Sequence, residues 1–241
     1  MMRMIAIADI HGCSMAWDTL LSLIQPQPDD LMITLGDYVD RGPDSHGVLE
    51  RLITLHQTGR LVALRGNHEI LMLEARNSPQ QFDAWCKFGG YETLASYPTR
   101  QTTKDLENIP PHHWEFLEKT CVNYWETENH IFVHGNVNPQ LPLNQQSTQQ
   151  LLTTKFYSAK PHISGKTMIC GHTRQTNGKP LNLGYAICID TWVYGKGWLT
   201  GLDVNTGQIW QANQLGQSRT AWIAQFKPSD SPLKVCSQLH N

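Results

Sequence analysis

Three short apolar segments in the first quarter of the chain are each followed at once by Asp, Gly or Arg. They are Met4–Ala8, Leu31–Leu35 and Leu61–Leu64. Short apolar runs that end in turn residues are typical of strands buried on both faces. The pattern therefore predicts three buried strands, each ending in a polar loop.

Between these strands, apolar residues recur at helical spacing. Ser14–Gln25 carries them on one face and is followed by Pro26, which predicts a helix that stops there. Pro43–Gln57 has the same spacing, and a proline at the first helical position is favourable, so we predict a helix beginning at Pro43. Alternating strands and helices indicate an α/β fold whose parallel strands are joined by crossover helices.

Residues 68–125 have a mainly helical pattern, with breaks at Tyr97-Pro98 and Pro110-Pro111. His130–Val133 and Thr167–Cys170 resume the strand pattern. Between those two strands, residues 136–150 predict a surface loop that enters a helix near Leu151.

From Tyr185 onward, the segments YAICID, WLTGLDV and QIWQA are separated by turn residues and predict a β-meander. No internal repeat or linker divides the 241 residues. We therefore expect residues 1–241 to form a single domain.

Charge and composition exclude several classes of protein. The formal net charge is −2 and no basic stripe is present, which argues against a nucleic-acid partner. A hydrophobic fraction of 40% argues against disorder, and no apolar run reaches the ~18 residues of a membrane span. The six cysteines, the last of them Cys236, are too far apart for a CxxC motif, and the N-terminus lacks a signal-peptide pattern. We expect a reduced, cytoplasmic protein without a membrane partner.

Five predicted strands end in the same kind of polar, glycine-containing motif. In open α/β sheets, ligands bind outside the carboxyl ends of the strands, so the five loops are expected to meet in one crevice. The motifs, in chain order, are ADIHG (8–12), GDYVDRG (36–42), RGNHE (65–69), VHGN (133–136) and CGHT (170–173).

The side chains in these motifs are suited to two divalent metal ions. Carboxylate, imidazole and amide oxygen ligands without a thiolate suit Mn²⁺, Fe²⁺ or Zn²⁺. A shared carboxylate can hold two ions ~3.5–4 Å apart, and a hydroxide between them is a strong nucleophile at neutral pH. Arg41 and Arg65 stand beside the motifs and offer planar donors for phosphate oxygens. Each motif alone has a structural explanation, such as a helix cap, and the prediction depends on all five occurring in order.

Together the motifs resemble those of the metal-dependent phosphoprotein phosphatases, whose pattern is GDxHG, GDxVDRG, GNHE and two later histidine motifs. The length is similar to that of bacterial and phage members of this group within the calcineurin-like metallophosphoesterase superfamily. The resemblance implies an α/β fold with a central β-sandwich of mixed sheets flanked by helices. It also implies two bound divalent ions, with manganese as the first choice and iron or zinc as alternatives.

The resemblance also implies a role for each matched residue. His68 would be the general acid, oriented by Asp40, and Arg41 and Arg65 would bind phosphate. The metal ligands would be Asp9 and His11 for the first ion, Asp37 as the bridge, and Asn67, His134 and His172 for the second.

The sequence departs from the family pattern at three places. Residues 135–171 contain no arginine where a third phosphate-binding arginine is usual, and either Lys155 or Arg174 could replace it. Asn136 stands where a glycine is usual, which would alter the loop over the second metal. Trp192 follows Ile189-Asp190-Thr191 where a small residue is expected, either as a wall of the cleft or as core.

We therefore expect a phosphoric monoester hydrolase acting on phosphoserine and phosphothreonine in proteins or peptides. The alternative is hydrolysis of nucleotides, as in the related symmetrical dinucleoside tetraphosphatases, which usually carry Asp after GNH. Glu69 occupies that position here and favours the protein phosphatases. The presence of Glu69 also has a structural explanation, because the helix dipole favours an acid in the first turn. A catalytically inactive scaffold is disfavoured because every matched ligand and the Asp40–His68 pair are present.

Overall fold

The computed structural model describes residues 2–98 and 105–228. Its strands, in chain order, are β1 (Met4–Ala8), β2 (Leu31–Thr34), β3 (Leu61–Ala63), β4 (Tyr124–Glu126), β5 (His130–Val133), β6 (Thr167–Cys170), β7 (Leu181–Asn182), β8 (Ala186–Cys188), β9 (Leu199–Asp203), β10 (Gln208–Ala212) and β11 (Ser218–Trp222). Its α-helices are α1 (Ser14–Ile24), α2 (Ser45–Gln57), α3 (Asn67–Glu74), α4 (Pro79–Trp85), α5 (Tyr91–Ser96), α6 (Pro111–Glu115) and α7 (Thr148–Thr153).

The strands form two mixed sheets. The first has the order β11-β10-β9-β1-β2-β3, and the second has the order β4-β5-β6-β8-β7. The predicted parallel pairing of β1, β2 and β3 is confirmed, and β9 adds to β1 in antiparallel register. In the second sheet, β5, β6 and β8 are parallel, with antiparallel strands at both edges.

Each central strand is buried on both faces, which explains why the sequence shows unbroken apolar runs. In β1, Ile5 and Ile7 pack towards the helices, whereas Ala6 and Ala8 pack into a core shared with the second sheet. Phe132 contributes to this shared core from β5. The two sheets are therefore layers of one sandwich, and helices cover the outer face of the first. The shared core supports a single domain, which stays a prediction for residues 1–241.

Helix α2 begins two residues later than predicted. Pro43 lies outside it, and the side chain of Asp44 accepts a hydrogen bond from the backbone N–H of Gly47 at 2.9 Å. An aspartate side chain satisfies a free N–H of the first turn, so it sets the helix start more strongly than the proline does.

In the segment 68–125, the described residues are mainly helical, as predicted, until β4 begins at Tyr124. The breaks at Tyr97-Pro98 and Pro110-Pro111 are confirmed, although residues 99–104 lie outside the described residues. Two π-helical turns, Cys86–Gly90 and Phe116–Thr120, extend α4 and α6. Residues 124–126 form β4 rather than helix, because they pair with β5 at the sheet edge.

The predicted meander is correct only in part. Strands β9, β10 and β11 are consecutive antiparallel neighbours, but YAICID forms β8 in the other sheet, parallel to β6. The loop at 136–150 is confirmed in outline, and it enters α7 at Thr148. No helix among the described residues is long and apolar enough to cross a membrane. The five described cysteines are buried and free, and Cys236 lies outside the described residues.

Candidate active site

Asp37, in the loop after β2, is surrounded by imidazoles that follow three other strands. Its carboxylate oxygens lie 3.5 Å from His11 Nε2, 3.3 Å from His134 Nε2 and 4.0 Å from His68 Nε2. All four side chains are almost completely buried. His11 follows β1, and His134 follows β5 of the second sheet. The two sheets therefore meet in the predicted crevice, with Asp37 at its centre.

The hydrogen bonds of His11 and His134 show which nitrogen faces Asp37. His11 Nδ1 donates to the carbonyl of Val39 and His134 Nδ1 donates to that of Leu35, both at 2.8 Å. Burial lowers the pKa of both imidazoles, so they are neutral at pH 7. Each Nε2 therefore carries a lone pair instead of a proton, within 3.5 Å of the carboxylate of Asp37.

A second group of lone pairs lies on the His134 side of Asp37. Asn67 Oδ1 is 3.1 Å from His134 Nε2. His172 Nε2 donates to the carbonyl of Thr153 at 3.1 Å, which leaves its Nδ1 without a proton. Burial, followed by the neighbouring His134 and Lys155, lowers the pKa of His172 to about 3.

These donor groups fit the two divalent ions that the sequence predicts. The ligand atoms of Asp37, His134 and His172 lie within 4.8 Å of one another, and His11 Nε2 lies 3.5 Å from the carboxylate of Asp37. Lone pairs that face one another in a buried site repel unless a cation lies between them. The carboxylate, imidazole and amide donors belong to the class that binds borderline divalent ions.

Asp9 completes the site through a partner that the sequence analysis did not assign. Its carboxylate accepts the backbone N–H of His172 at 3.0 and 3.2 Å. It is also hydrogen-bonded to Asp190, which follows β8. Burial, with the nearby charges of Asp190 and Asp37, raises the pKa of Asp9. Burial raises the pKa of Asp190 to about 6. Two touching carboxyl groups retain a proton unless a cation offsets their charge.

His68 and Asp40 form a separate hydrogen-bonded pair beside this group. His68 Nδ1 donates to Asp40 Oδ2 at 2.6 Å. The other oxygen of Asp40 accepts from Trp85 Nε1 at 2.9 Å and from Thr93 Oγ1 at 2.7 Å. Burial alone would lower the pKa of His68, but the charge of Asp37 and the bond to Asp40 outweigh it and raise the pKa. The raised pKa favours a proton at Nε2 of His68, on the side that faces Asp37.

Glu69 has a larger role than the sequence indicated. It lies in the first turn of α3, as expected, but it is completely buried. Its carboxylate accepts backbone N–H groups from Asp37 at 2.8 Å, Tyr38 at 2.7 Å and Gly66 at 2.7 Å. Glu69 therefore ties the loop after β2 to the loop after β3 and positions Asp37 and the start of α3.

The backbone is strained at the same residues. Of the eight described non-glycine residues with positive φ, Gln25 ends a helix and the other seven belong to the site loops. A left-handed backbone costs an L-residue about 1 kcal/mol, so the surrounding packing must hold these loops in place. The seven are Asp9, His11, Asp37, Asp40, Arg41, His172 and Trp192.

The two predicted phosphate-binding arginines have different surroundings. One guanidinium nitrogen of Arg41 lies 3.0 Å from His11 Nε2, and the group stacks on the ring of Tyr194 at 4.7 Å. The guanidinium of Arg65 donates instead to the carbonyls of Leu117, Glu118 and Cys121, at 3.1, 2.9 and 2.8 Å. The structure thus brings Arg41 to the candidate metal ligand His11, whereas Arg65 holds the end of a helix. The phosphate role of Arg65 stays a prediction.

Both candidates for the third phosphate contact lie near the site. Lys155 Nζ donates to the carbonyl of His172 at 3.2 Å. Arg174 donates to the hydroxyl of Tyr194 at 3.0 Å. The ring of Tyr194 also meets His11 edge-on at 4.9 Å. Sequence reasoning missed Tyr194, because an aromatic residue in a loop carries no local signal of function.

The other two departures have structural explanations. The amide of Asn136 donates to the carbonyl of Lys155 at 2.9 Å and to Ser158 Oγ at 3.2 Å, which ties the loop after β5 to the segment after α7. Trp192 is half-buried and meets Tyr194 edge-on at 6.4 Å. It therefore packs beside the aromatic residue that contacts His11.

A family model for the calcineurin-like phosphoesterases matches residues 2–175, which include all five motifs and most of the chain. The chain belongs to this family. The residues gathered around Asp37 are the candidate dimetal ligands of this calcineurin-like phosphoesterase.

The calcineurin-like phosphoesterase is similar to curated proteins with two different activities. Serine/threonine-protein phosphatase 1 of Salmonella typhimurium is 41% identical over 85 residues, which cover 35% of this chain and 37% of that protein. A symmetrical bis(5'-nucleosyl)-tetraphosphatase of Acidovorax sp. is 44% identical over 75 residues, which cover 31% of this chain and 26% of that protein. The chain thus spans about a third of the length of these curated relatives.

A solved structure supports the same fold for this calcineurin-like phosphoesterase. The crystal structure of a protein provisionally named a diadenosine tetraphosphatase superposes with a TM-score of 0.66 at 21% identity. The match covers 91% of this chain and 94% of that chain. The expected arrangement of two mixed sheets flanked by helices is confirmed.

Proposed function

We propose that the protein is a metal-dependent serine/threonine protein phosphatase that hydrolyses phosphomonoesters. The observation that carries the proposal is the Asp40–His68 pair, with its 2.6 Å hydrogen bond, next to the imidazoles around Asp37. A phosphoesterase of this type needs a nucleophile on one side of phosphorus and a proton donor for the leaving oxygen on the other.

In this proposal the metal ligands are shared between two ions. Asp9, His11 and Asp37 would hold one ion, and Asp37, Asn67, His134 and His172 the other. Two divalent ions there would supply a hydroxide nucleophile at neutral pH and offset the charge of the phosphate. Manganese is our first choice, with iron and zinc as alternatives of the same ligand preference.

His68 would supply the proton to the leaving oxygen. A serine or threonine alkoxide is a poor leaving group, so protonation during bond breaking lowers the barrier. Asp40 favours the charged imidazole and fixes the ring with Nε2 directed at the site. Trp85 and Thr93 hold Asp40 in turn, so they are positioning residues.

Arg41 and Lys155 would bind the phosphate oxygens. The Arg41 side chain is held between His11 and Tyr194, and its planar group suits an oxyanion. Lys155 lies next to His172, and its ammonium is a point charge where an arginine would offer two parallel donors. The five free, buried thiols of the described chain support our proposal of a reducing, cytoplasmic setting.

One observation favours nucleotides as a second class of substrate. Tyr194 lies at the site with Arg41 stacked on its ring and Arg174 bound to its hydroxyl. An aromatic ring between two cations can contact a nucleobase and its phosphates. Similarity to a symmetrical tetraphosphatase supports this alternative equally.

A comparison of two substrates tests the proposal. The purified full chain, loaded with Mn²⁺, is offered a phosphoserine peptide and diadenosine tetraphosphate, and kcat/KM is measured for each. We expect the peptide to be the better substrate by at least ~10-fold, a difference of about 1.4 kcal/mol in transition-state binding. A preference of that size for the dinucleotide would make the protein a tetraphosphatase. His68→Asn is the control that assigns either activity to this site.

A further inference from the structure

A second group of potential metal ligands lies between α2 and α6, apart from the residues around Asp37. We call His46, Glu50, His112 and His113 the imidazole cluster. Glu50 Oε1 lies 2.9 Å from His112 Nε2, 3.0 Å from His113 Nε2 and 3.6 Å from His46 Nε2. The ligand atoms of His46, Glu50 and His113 all lie within 4.8 Å of one another. We propose that the imidazole cluster is a binding site for a divalent transition metal of the zinc type.

The three separations measured from Glu50 Oε1 are close to those between neighbouring ligand atoms of a zinc site. Zinc binds nitrogen and oxygen at about 2.0–2.1 Å with tetrahedral geometry, which places neighbouring ligand atoms about 3.3 Å apart. The three distances from Glu50 Oε1 to imidazole nitrogens bracket that value. Three imidazoles and one carboxylate are also a ligand set that zinc accepts.

Hydrogen bonds to Glu50 hold two of the three imidazoles, and helical spacing places the third, His46, one turn away. A carboxylate oxygen has two lone pairs, so it can accept from two of the three rings at good geometry. His46 is the ring left over, at 3.6 Å. A cation in the middle would bind the carboxylate and all three rings at once.

The surroundings prepare His113 to act as a ligand. Its side chain is completely buried, and its Nδ1 is hydrogen-bonded to the hydroxyl of Tyr97 at 2.7 Å. Metal-binding histidines almost always have such an outer partner, which fixes the ring and leaves the other nitrogen for the metal. Burial also lowers the pKa of His113 to about 4, so the ring is neutral at pH 7, as a ligand must be.

The location gives the bound ion a structural role near the general acid. His46 and Glu50 are one turn apart in α2, whereas His112 and His113 lie in α6, so the ion would join these two helices. The residue before His46, Ser45, hydrogen-bonds to the backbone of Asp40 at 3.1 Å and to Thr93 at 3.0 Å. Fixing the start of α2 would therefore also fix the residues that surround Asp40.

Zinc stoichiometry tests the proposal. The full chain is stripped with a chelator, incubated with a small excess of Zn²⁺, freed of loose metal with a weak competitor, and analysed for zinc per chain. The double variant His46→Gln with His112→Gln should bind one zinc fewer than the wild type. His46 is half-buried and His112 is exposed, so the fold should tolerate the change. His56→Gln, an exposed position on the same helix, is the matched control and should keep the wild-type content.

The same experiment contains the result that would overturn the proposal. An equal zinc content in the wild type, the double variant and the control would rule out the site. The site would also be ruled out if the wild type bound an additional zinc ion but lost it to the weak competitor. Because the readout is a difference of one ion, it does not depend on how many ions the residues around Asp37 bind.

Crystallography gives a readout that needs no variant. Crystals grown with three equivalents of Zn²⁺ should show an anomalous difference peak about 2.1 Å from the Nε2 atoms of the imidazole cluster. A peak only at the residues around Asp37 would refute the site and leave the proposed function unaffected. A peak only at the imidazole cluster would support the site and count against the dimetal centre.

Discussion

Asp40 collects hydrogen bonds from His68, Trp85 and Thr93 on one buried carboxylate. Each donor favours the ionised carboxylate, which in turn favours the charged imidazole of His68. The proposed general acid would thus depend on Trp85 and Thr93, which hold Asp40. At the scale of single residues, the site is a set of matched donors and acceptors with fixed tautomers.

The first prediction tests the proton donor. We expect His68→Asn to lower kcat on alkyl phosphates by ~10²–10⁴, because the alkoxide must then leave without a proton. Metal content, measured by elemental analysis, should stay at the wild-type value. Aryl phosphates with good leaving groups should lose much less. An equal loss on both kinds of ester would show that His68 acts in another way.

Glycine at position 66 allows two loops to approach each other at the site. A Cβ added there would lie 2.1 Å from Asp37 Oδ1 and 2.4 Å from the Asp37 backbone nitrogen. Both distances are far below van der Waals contact, and the carboxylate concerned is the one at the centre of the site. At the scale of secondary-structure elements, therefore, the position of Asp37 depends on the close approach of the loop after β2 to the loop after β3.

The second prediction follows from that close approach. Gly66→Ala should displace Asp37 and lower both metal content and kcat, because the added methyl group has no space. Gly165→Ala is the control, since its Cβ would meet nothing within 4 Å and would add only the strain of a positive φ. Elemental analysis and phosphatase assays check both variants. Normal metal content in Gly66→Ala would contradict the role given to this contact.

The contact between α2 and α6 should make stability depend on pH. The pKa of His113 is about 4 in the folded protein, below its ordinary value of 6.5, because the ring is buried. Between these values the unfolded chain binds more protons, so this group makes the folded state less stable as the pH falls from 7 to 5. Among the described residues, the groups that face the ring or act on its charge are His46, Glu50, Tyr97 and His112.

The third prediction is a change in that pH dependence. In the presence of a chelator, the fall in Tm from pH 7 to pH 5 should be smaller for His113→Gln than for the wild type, since glutamine does not titrate. His56→Gln, at an exposed position, should show the wild-type fall. Thermal unfolding followed by circular dichroism gives the comparison. The same fall in all three proteins would mean that His113 does not contribute.

At the scale of the whole molecule, the candidate site lies across the two sheets. Asp9, His11 and Asp37 extend from the first sheet, and His134 and His172 extend from the second. Bound ions would cross-link the two layers at their edge, in addition to the apolar core between them. Ligand binding to the folded state alone stabilises a protein by mass action.

The fourth prediction follows from this linkage. Removal of divalent ions should lower Tm, and addition of Mn²⁺ should restore it; at 100 times Kd the gain is about 2.7 kcal/mol. The variant Asp37→Asn should respond much less, because the shared carboxylate is lost. Differential scanning calorimetry with and without chelator makes the comparison. A wild-type Tm that chelation does not change would argue against ions that join the sheets.

The sequence alone determined the type of site and much of the fold. The five motifs name the carboxylates, imidazoles and amide around Asp37, because a ligand set needs particular residue types at the ends of strands. The runs of apolar residues located β1, β2, β3, β5 and β6 closely, since strands buried on both faces must be apolar throughout.

Only the tertiary structure decided which distant residues complete the site. Asp190, Tyr194 and Glu69 act through contacts with residues 30 or more positions away, and no local pattern signals such a contact. The sequence likewise did not indicate what surrounds the Arg65 guanidinium or to which sheet β8 belongs. The imidazole cluster has the same origin, because packing of α6 on α2 brings together histidines more than 60 residues apart. Sequence patterns report local geometry and residue chemistry, whereas these contacts depend on how the two sheets and their helices pack.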